Sequence, residues 1–508
     1  MATSSLSTAG SVILPGEGVT AAERRLAVLC KRSFLSLWSY PAVFRDQGRH
    51  QGKGDGKEVC DLLVVFENHI IIFSDKDCEF RGAGDLETNW GRWYRRAVLQ
   101  SAEQAFGAER WIRRFPGRLF LDRQCNVPFP IKLPEPEHAV FHRIVVAHNG
   151  ARRCREALGG SGSLMIATNL VGDDHFDHPF TVGQVNPDRG FVHVFDDTTL
   201  DIVMRTLDTI TDFTAYLTKK ERFLTGDRVI RAAGEEELLA VYLARLNRAG
   251  EHDFIVKGDY DNIAIAEGFW QGFVNSPERR SQLEQDQISY SWDKLIEKFL
   301  FHAMTGTQYF GGSAPLGEQE IMFRLMAREP RTRRRMLATH LHEVLSRSIR
   351  SKSAWDARVA MPSNPGDPHY VFLFAKRLSD MSDEEYRRVR VQLLKSYCQV
   401  VKLKYPEATK IIGIATESGD VEMRSEDLLY LDASEWSAKE MAQAKEIQAE
   451  LGLLKRTKLG MSREHEYPVD HEGKHRNAVL SRNAKCRCGS GKRFKRCCGE
   501  KFFRRGRR

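Results

Sequence analysis

Residues 60–76 read CDLLVVFENHIIIFSDK. Two apolar runs, 60–66 and 69–76, meet at Glu67 and Asn68, and runs of this length and composition predict two β-strands joined as a hairpin. Working outward, residues 20–38, TAAERRLAVLCKRSFLSLW, place Leu26, Leu29, Cys30, Phe34 and Leu37 at helical spacing, opened by a capping box of Thr20 and Glu23. On the other side of the hairpin a second helix is predicted from about residue 89 to 106. It carries Trp90, Trp93, Ala97 and Ser101 on one side and turns Arg92, Arg95 and Arg96 elsewhere. The order is helix, strand, strand, helix.

That order, with Glu23 on the first helix, Asp61 at the start of the first strand and Ser74-Asp75-Lys76 closing the second, resembles the PD-(D/E)xK nuclease core. The resemblance implies a restriction-endonuclease-like domain in which a helix acid and two hairpin acids gather Mg²⁺ while a lysine positions or deprotonates the attacking water. It makes Glu23 the helix acid, Asp61 the first hairpin acid and Lys76 the lysine. Ser74 stands where the family has its second acid, a departure that weakens a site built on hard oxygen ligands. On a regular strand Ser74 and Lys76 share a face and Asp75 points away, so a bulge that turns Asp75 inward, or Glu58 in the adjacent loop, is needed to complete the set. The expected catalytic group is therefore Glu23, Asp61, Ser74, Asp75 and Lys76. Three of them also have a plainer reading, Glu23 as the third residue of its capping box and Asp61 and Lys76 as strand-end charges.

The rest of the chain reads as an α+β and α/β multidomain protein. Residues 1–18 are Ser/Gly-rich and form a flexible N-terminus, 19–130 the nuclease-like domain and 131–230 an α+β extension with runs such as HAVFHRIVVA and FVHVF. Helical periodicity dominates 231–360. The breaker cluster MPSNPGDP opens an α/β domain at 361–455, where YVFLFAKR, a helix capped by Ser382 and KIIGIATES predict a βαβ crossover. A polar linker spans 456–483, a small zinc module 484–503 and a basic tail 504–508. DDHFDH (173–178) reads as a solvated loop, His340 and His342 as helix-surface or core residues, and RTRRR (331–335) as an exposed charged helix. No G-x-x-x-x-G-K-[ST] or G-x-S-x-G pattern occurs, which argues against a P-loop motor and a serine hydrolase.

The net charge of +9 is concentrated at one end. Residues 481–508 hold 12 Lys/Arg against one acid, whereas the other 480 residues hold 65 basic against 67 acidic. Four of the ten cysteines lie in the same segment, KCRCGSGKRFKRCCG, with the spacing C-x-C-x8-C-C. Two close thiol pairs about a Gly-Ser-Gly turn suit tetrahedral Zn²⁺, and adjacent Cys497 and Cys498 cannot pair with one another without strain. This segment resembles the SEC-C motif found at the C-terminus of the SecA translocase and appended to many other bacterial proteins. The resemblance implies structural Zn²⁺ held by Cys486, Cys488, Cys497 and Cys498, and a role in docking nucleic acid, a protein or the ribosome. Scattered single cysteines elsewhere, no apolar run of ~18 residues and no basic leader before an apolar stretch predict a cytoplasmic protein without a membrane span. Two functions remain open: a divergent Mg²⁺-dependent nuclease, or a scaffold with an inactive nuclease-like domain that docks its partner through the tail.

Overall fold

The computed structural model describes residues 16, 18–47, 55–256, 258–308, 316–377, 380–418, 424–455, 460, 465–467, 492, 493 and 496. It is a mixed α/β protein of two compact units, one formed by residues 1–280, 304–306 and 315–317, the other by 281–303, 307–314 and 318–508. Among the described residues no helix is long and apolar enough to cross a membrane.

The first unit opens with α1 (Ala21–Phe34), and its capping box is present: the Thr20 hydroxyl accepts from Glu23 N while the Glu23 carboxylate accepts from Thr20 N. The expected hairpin follows β1 (Ser39–Arg45) and consists of β2 (Lys57–Phe66) and β3 (His69–Lys76), antiparallel from Leu62 opposite Phe73 to Phe66 opposite His69. Glu67 turns the chain with a φ of 51°. The second helix is longer than its apolar stripe suggests, running as α2 (Leu86–Tyr94), a π-helical segment (Arg95–Leu99) and α3 (Gln100–Arg114). Trp90, Trp93, Ala97 and Ser101 are buried along it and Arg92, Arg95 and Arg96 are exposed.

β4 (Leu119–Phe120), β5 (Val140–Ala147), α4 (Ala151–Leu158), β6 (Met165–Val171), β7 (Thr181–Gln184), β8 (His193–Asp196), α5 (Thr199–Thr206) and α6 (Ile210–Leu224) come next. β9 (Val229–Ala232), α7 (Glu235–Leu243), β10 (Asn262–Ile265), α8 (Phe269–Asn275) and α9 (Pro277–Gln285) follow. The first sheet has the order β4-β1-β2-β3-β5-β8, with β3, β5 and β8 parallel, so it continues past residue 130. A second sheet has the order β10-β9-β6-β7.

Alternation divides the parallel strands into two faces. Ile72, Val145 and Ala147 pack into the cores beneath α2 and α3. The opposite face carries His69, Ile71, Phe73 and Asp75 from β3, His142, Ile144 and Val146 from β5, and His193 and Phe195 from β8, aligned by the pairs Asp75–Val146 and Ile144–His193. This face is polar at both ends and apolar between them. α1 and α5 cover its C-terminal end, held together by the Ser33 hydroxyl donating to Met204 O and by an Arg25–Asp201 ion pair of 2.7 Å.

The second unit contains α10 (Tyr290–Thr305), α11 (Leu316–Ala327), α12 (Arg331–Arg350), β11 (Trp355–Ala360), β12 (His369–Ala375), α13 (Asp383–Lys404), β13 (Lys410–Glu417), β14 (Glu426–Asp432) and α14 (Ala438–Leu451). The expected crossover is found here: β12 and β13 are parallel neighbours joined through α13, inside a sheet ordered β11-β12-β13-β14. Leu394, Cys398 and Val401 of α13 pack on Val371, Leu373, Ile411 and Ala415.

Two charged motifs differ from their sequence reading. The RTRRR run is not an exposed face: Arg331, Arg333, Arg334 and Arg335 are buried, because acids on neighbouring elements meet them. Arg331 and Arg334 pair with Asp293 at 2.8 and 2.7 Å, and Arg335 pairs with Asp286 at 3.0 Å. The DDHFDH stretch is a 3-10 turn (Gly172–Asp177) pinned by a buried His175, whose Nδ1 meets Gly172 O and whose Nε2 accepts from Gly183 N.

Candidate functional site

The antiparallel ladder of the hairpin stops at Leu62 and Phe73, one step short of the charged residues. Asp61 then does with its side chain what a ladder carbonyl would do, accepting the main-chain N–H of Asp75 on Oδ2 at 2.6 Å. Near this end β2 also loses its alternation. Cys60 and Leu63, three residues apart, both pack in the core beneath α3, and its partner strand turns through Ala42 at a φ of 53°. The break turns Asp61 from that core toward Asp75.

Asp75 is buried. Its Oδ1 meets Nε2 of His148 at 2.6 Å, and its Oδ2 has no hydrogen-bond partner. His148, immediately after β5, is held on its other nitrogen by Asp197 Oδ1 at 2.7 Å, immediately after β8. Burial by itself would lower the pKa of this imidazole, but the hydrogen bonds and charges of Asp197 and Asp75 outweigh it and hold the pKa up at about 10. His148 is thus an imidazolium at neutral pH. Asn149 N secures the other oxygen of Asp197 at 2.8 Å.

Around this pair the charge is mostly negative. Burial raises the pKa of Asp61, against the Asp75 N–H bond and Lys76, which lower it, while Asp75 and Glu23 add to the rise. Glu58 is pushed up to about 7 by burial and by the neighbouring Asp61 and Glu23, with Lys76 and Arg123 opposing. Asp61 is therefore within charge range of Glu23, Glu58, Asp75 and Lys76, and Glu58 of Glu23, Asp61 and Lys76. A narrow crevice between α1 and α5 reaches the cluster and is lined by Leu26, Asp75, His148, Asp197 and Asp201 among others.

Of the five residues expected from sequence, Asp61 and Asp75 are joined by a hydrogen bond, Glu23 and Lys76 act on Asp61 through their charge, and Ser74 stands apart. It is fully buried on the opposite face of β3, where its hydroxyl donates to Gln104 Oε1 of α3 at 3.2 Å. A carboxylate at position 74 would be buried beneath α3 and would not join the other acids. Asp75, which alternation turns away from Ser74, faces the cluster because the cluster lies on that side of the sheet. Glu23 serves its capping box, with Oε2 accepting from Val19 N at 2.7 Å as well as from Thr20 N. His148 and Asp197 were not legible in the sequence, since neither belongs to a spaced motif. Their common signal is position, just past the C-terminal ends of two parallel strands, where α/β sheets gather ligands.

The four thiols Cys486, Cys488, Cys497 and Cys498 lie outside the described residues. As a donor set they suit Zn²⁺, offering four soft ligands in two close pairs within thirteen residues. No curated protein and no solved structure matches the chain. Residues 482–500, which contain all four of these cysteines, match the family model of the SEC-C motif.

Proposed function

We propose that the first unit is a divalent-cation-dependent phosphodiester hydrolase of the PD-(D/E)xK nuclease type, and that the C-terminal SEC-C motif is a zinc-held module that brings positive charge to nucleic acid. The observation that carries this reading is the unpartnered, buried Oδ2 of Asp75, on the residue whose main-chain N–H the Asp61 carboxylate accepts. A buried carboxylate oxygen without a donor is costly unless a cation completes it. Asp75 and Asp61 offer hard oxygen ligands for Mg²⁺, and Glu58 and Glu23 add negative charge around Asp61. A bound Mg²⁺ would contribute charge stabilisation at the phosphate and a more acidic water. Lys76 offsets part of the negative charge on Asp61 and Glu58. His148, fixed between Asp197 and Asp75, orients the Asp75 carboxylate and keeps Oδ2 turned to the cation.

In the tail, Lys492, Arg493, Lys495 and Arg496 offset the negative charge of a four-thiolate zinc centre, and the remaining basic residues meet phosphates. Replacing Cys497 and Cys498 with Ser is expected to release about one zinc per chain and leave the body folded. Deleting residues 484–508 is expected to weaken nucleic-acid binding and flatten its salt dependence; an unchanged salt slope places the binding surface elsewhere.

The decisive experiment is incubation of the purified protein with plasmid, single-stranded DNA and RNA in Mg²⁺ and in Mn²⁺. Cleavage that needs the cation and disappears in Asp61→Ala supports the hydrolase. A second reading has its own observation: Asp75 Oδ1 is already committed to an imidazolium and position 74 offers no acid, which suits a domain that keeps the nuclease core without its chemistry. On that reading the protein is a scaffold that docks a protein or ribosome partner through its tail. It predicts no cleavage of any of the three substrates, with partner binding retained in Asp61→Ala.

A further inference from the structure

The other polar end of the same sheet face holds three histidines. His142 of β5 and His193 of β8 are each 1% exposed, and neither has an acid or a carbonyl to satisfy it. Nδ1 of His142 and both ring nitrogens of His193 are buried without a hydrogen-bond partner. Glu221 of α6 faces them, and His142, His193 and Glu221 each present a ligand atom within 4.8 Å of the others. His69 of β3 stacks on His142, and its Nδ1 lies 2.9 Å from His142 Nε2.

From this geometry we propose that His142, His193 and Glu221 bind a divalent first-row transition metal ion, Zn²⁺ or one of its neighbours. Imidazole nitrogens with one carboxylate suit Zn²⁺, Fe²⁺ or Co²⁺, and not Mg²⁺ or Ca²⁺, which take oxygen ligands. A metal at ~2.0–2.2 Å from each ligand sets those ligands roughly 3.4 Å apart in a tetrahedron, and the donors here lie within 4.8 Å of one another. Glu221 is the member of the three that is not fully buried.

His69 completes the arrangement in the manner of an outer partner. It engages Nε2 of His142, which leaves Nδ1 as the coordinating nitrogen and fixes the ring. The cations nearby are already matched: Lys220 pairs with Glu235 at 2.6 Å, and Arg143 with Glu109 at 2.5 Å.

Such a centre ties α6 to β5 and β8. Those strands also deliver His148 and Asp197 at their far ends, about 20 Å from His142 and about 13 Å from His193 along the strands. The metal would therefore act as a structural clamp, separate from the carboxylate cluster. The inference does not depend on that cluster being catalytic.

The test uses the full-length chain with Cys486, Cys488, Cys497 and Cys498 all replaced by Ser, which removes the tail thiols as ligands. This protein, equilibrated with Zn²⁺ or Co²⁺ and desalted, is expected to retain about one metal ion per chain. The Co²⁺ form is expected to show weak visible bands and no thiolate charge-transfer band. Excess Mg²⁺ is expected not to displace the ion, and chelation is expected to lower the Tm. Glu221→Gln, a conservative change at a half-exposed position, is expected to weaken the affinity about tenfold or more, and His193→Ala to abolish it. Circular dichroism checks that each variant folds. Absence of bound metal in the four-serine protein overturns the proposal, as does an affinity that folded Glu221→Gln leaves unchanged; either result makes these residues a water-bridged histidine cluster.

Discussion

Two clusters of buried charge, one in each unit, are built in opposite ways. In the second unit every buried acid of the α12 network meets arginine: Asp293 takes Arg331 and Arg334, Asp286 takes Arg335, and Glu329 lies 3.8 Å from Arg333. Asp427 likewise receives Arg390 at 2.6 Å and Arg387 at 3.1 Å. At the C-terminal end of the first sheet, Asp61, Asp75, Glu58 and Asp197 share Lys76 and the His148 imidazolium, and one buried carboxylate oxygen is left over. A balanced network serves the fold. An unbalanced one is stable only with a further cation or a shifted protonation state.

The comparison is open to breaking at several points. If the imbalance is functional, Asp61→Ala eliminates Mg²⁺-dependent cleavage, a larger loss than the roughly 10–100-fold expected from disturbing an outer partner such as Asp197. Cleavage surviving Asp61→Ala moves the chemistry to another part of the chain. In the second unit the loss should appear in stability instead. Asp293→Ala strands two buried guanidinium groups and is expected to cost about 3–5 kcal/mol in urea unfolding. A cost near zero there would mean that the arginines find water and that the network is not balanced as described.

A sharper contrast comes from Asp61→Asn. The amide still accepts the Asp75 N–H, while the carboxylate charge that the fold disfavours is gone, so this variant is expected to lose activity and gain a little stability at pH 7–8. Destabilisation on this change would show that the acids are better compensated than their environment implies.

The smallest effect concerns pH. The His148 pKa of about 10 lies above the ordinary 6.5, so its contribution to stability is complete below pH 6.5 and is lost progressively as the pH rises toward 10. An NMR titration should find the ring protonated at pH 8, and Asp197→Asn should bring its pKa down. A ring that titrates near 6.5 in the wild type removes the imidazolium from the site.

The hairpin, its turn at Glu67, the capping box of α1 and the βαβ crossover were readable along the chain, because each rests on local periodicity or on a few adjacent residues. The position of Asp61 and Lys76 at strand ends was readable as well, since strand ends beside apolar runs are short-range features. Ser74 was misleading for an instructive reason. Alternation correctly separates it from Asp75, but it does not reveal which face of the strand the other acids occupy, and that depends on where α1 and α3 pack.

The amino-acid sequence by itself determined the elements of this protein and the composition of its tail: which segments alternate, where helices start, and where four thiols crowd among basic residues. Tertiary structure decided the rest. Only the parallel pairing of β3, β5 and β8 brings His148 and Asp197 to Asp75 at one end of a face, and His69, His142 and His193 together at the other. The same holds for RTRRR, which reads as a solvated charge run until Asp286, Asp293 and Glu329 are seen around it. The physical reason is common to all three. Whether a charge is solvated, paired or left over depends on neighbours tens to more than a hundred residues away, and no local pattern records them.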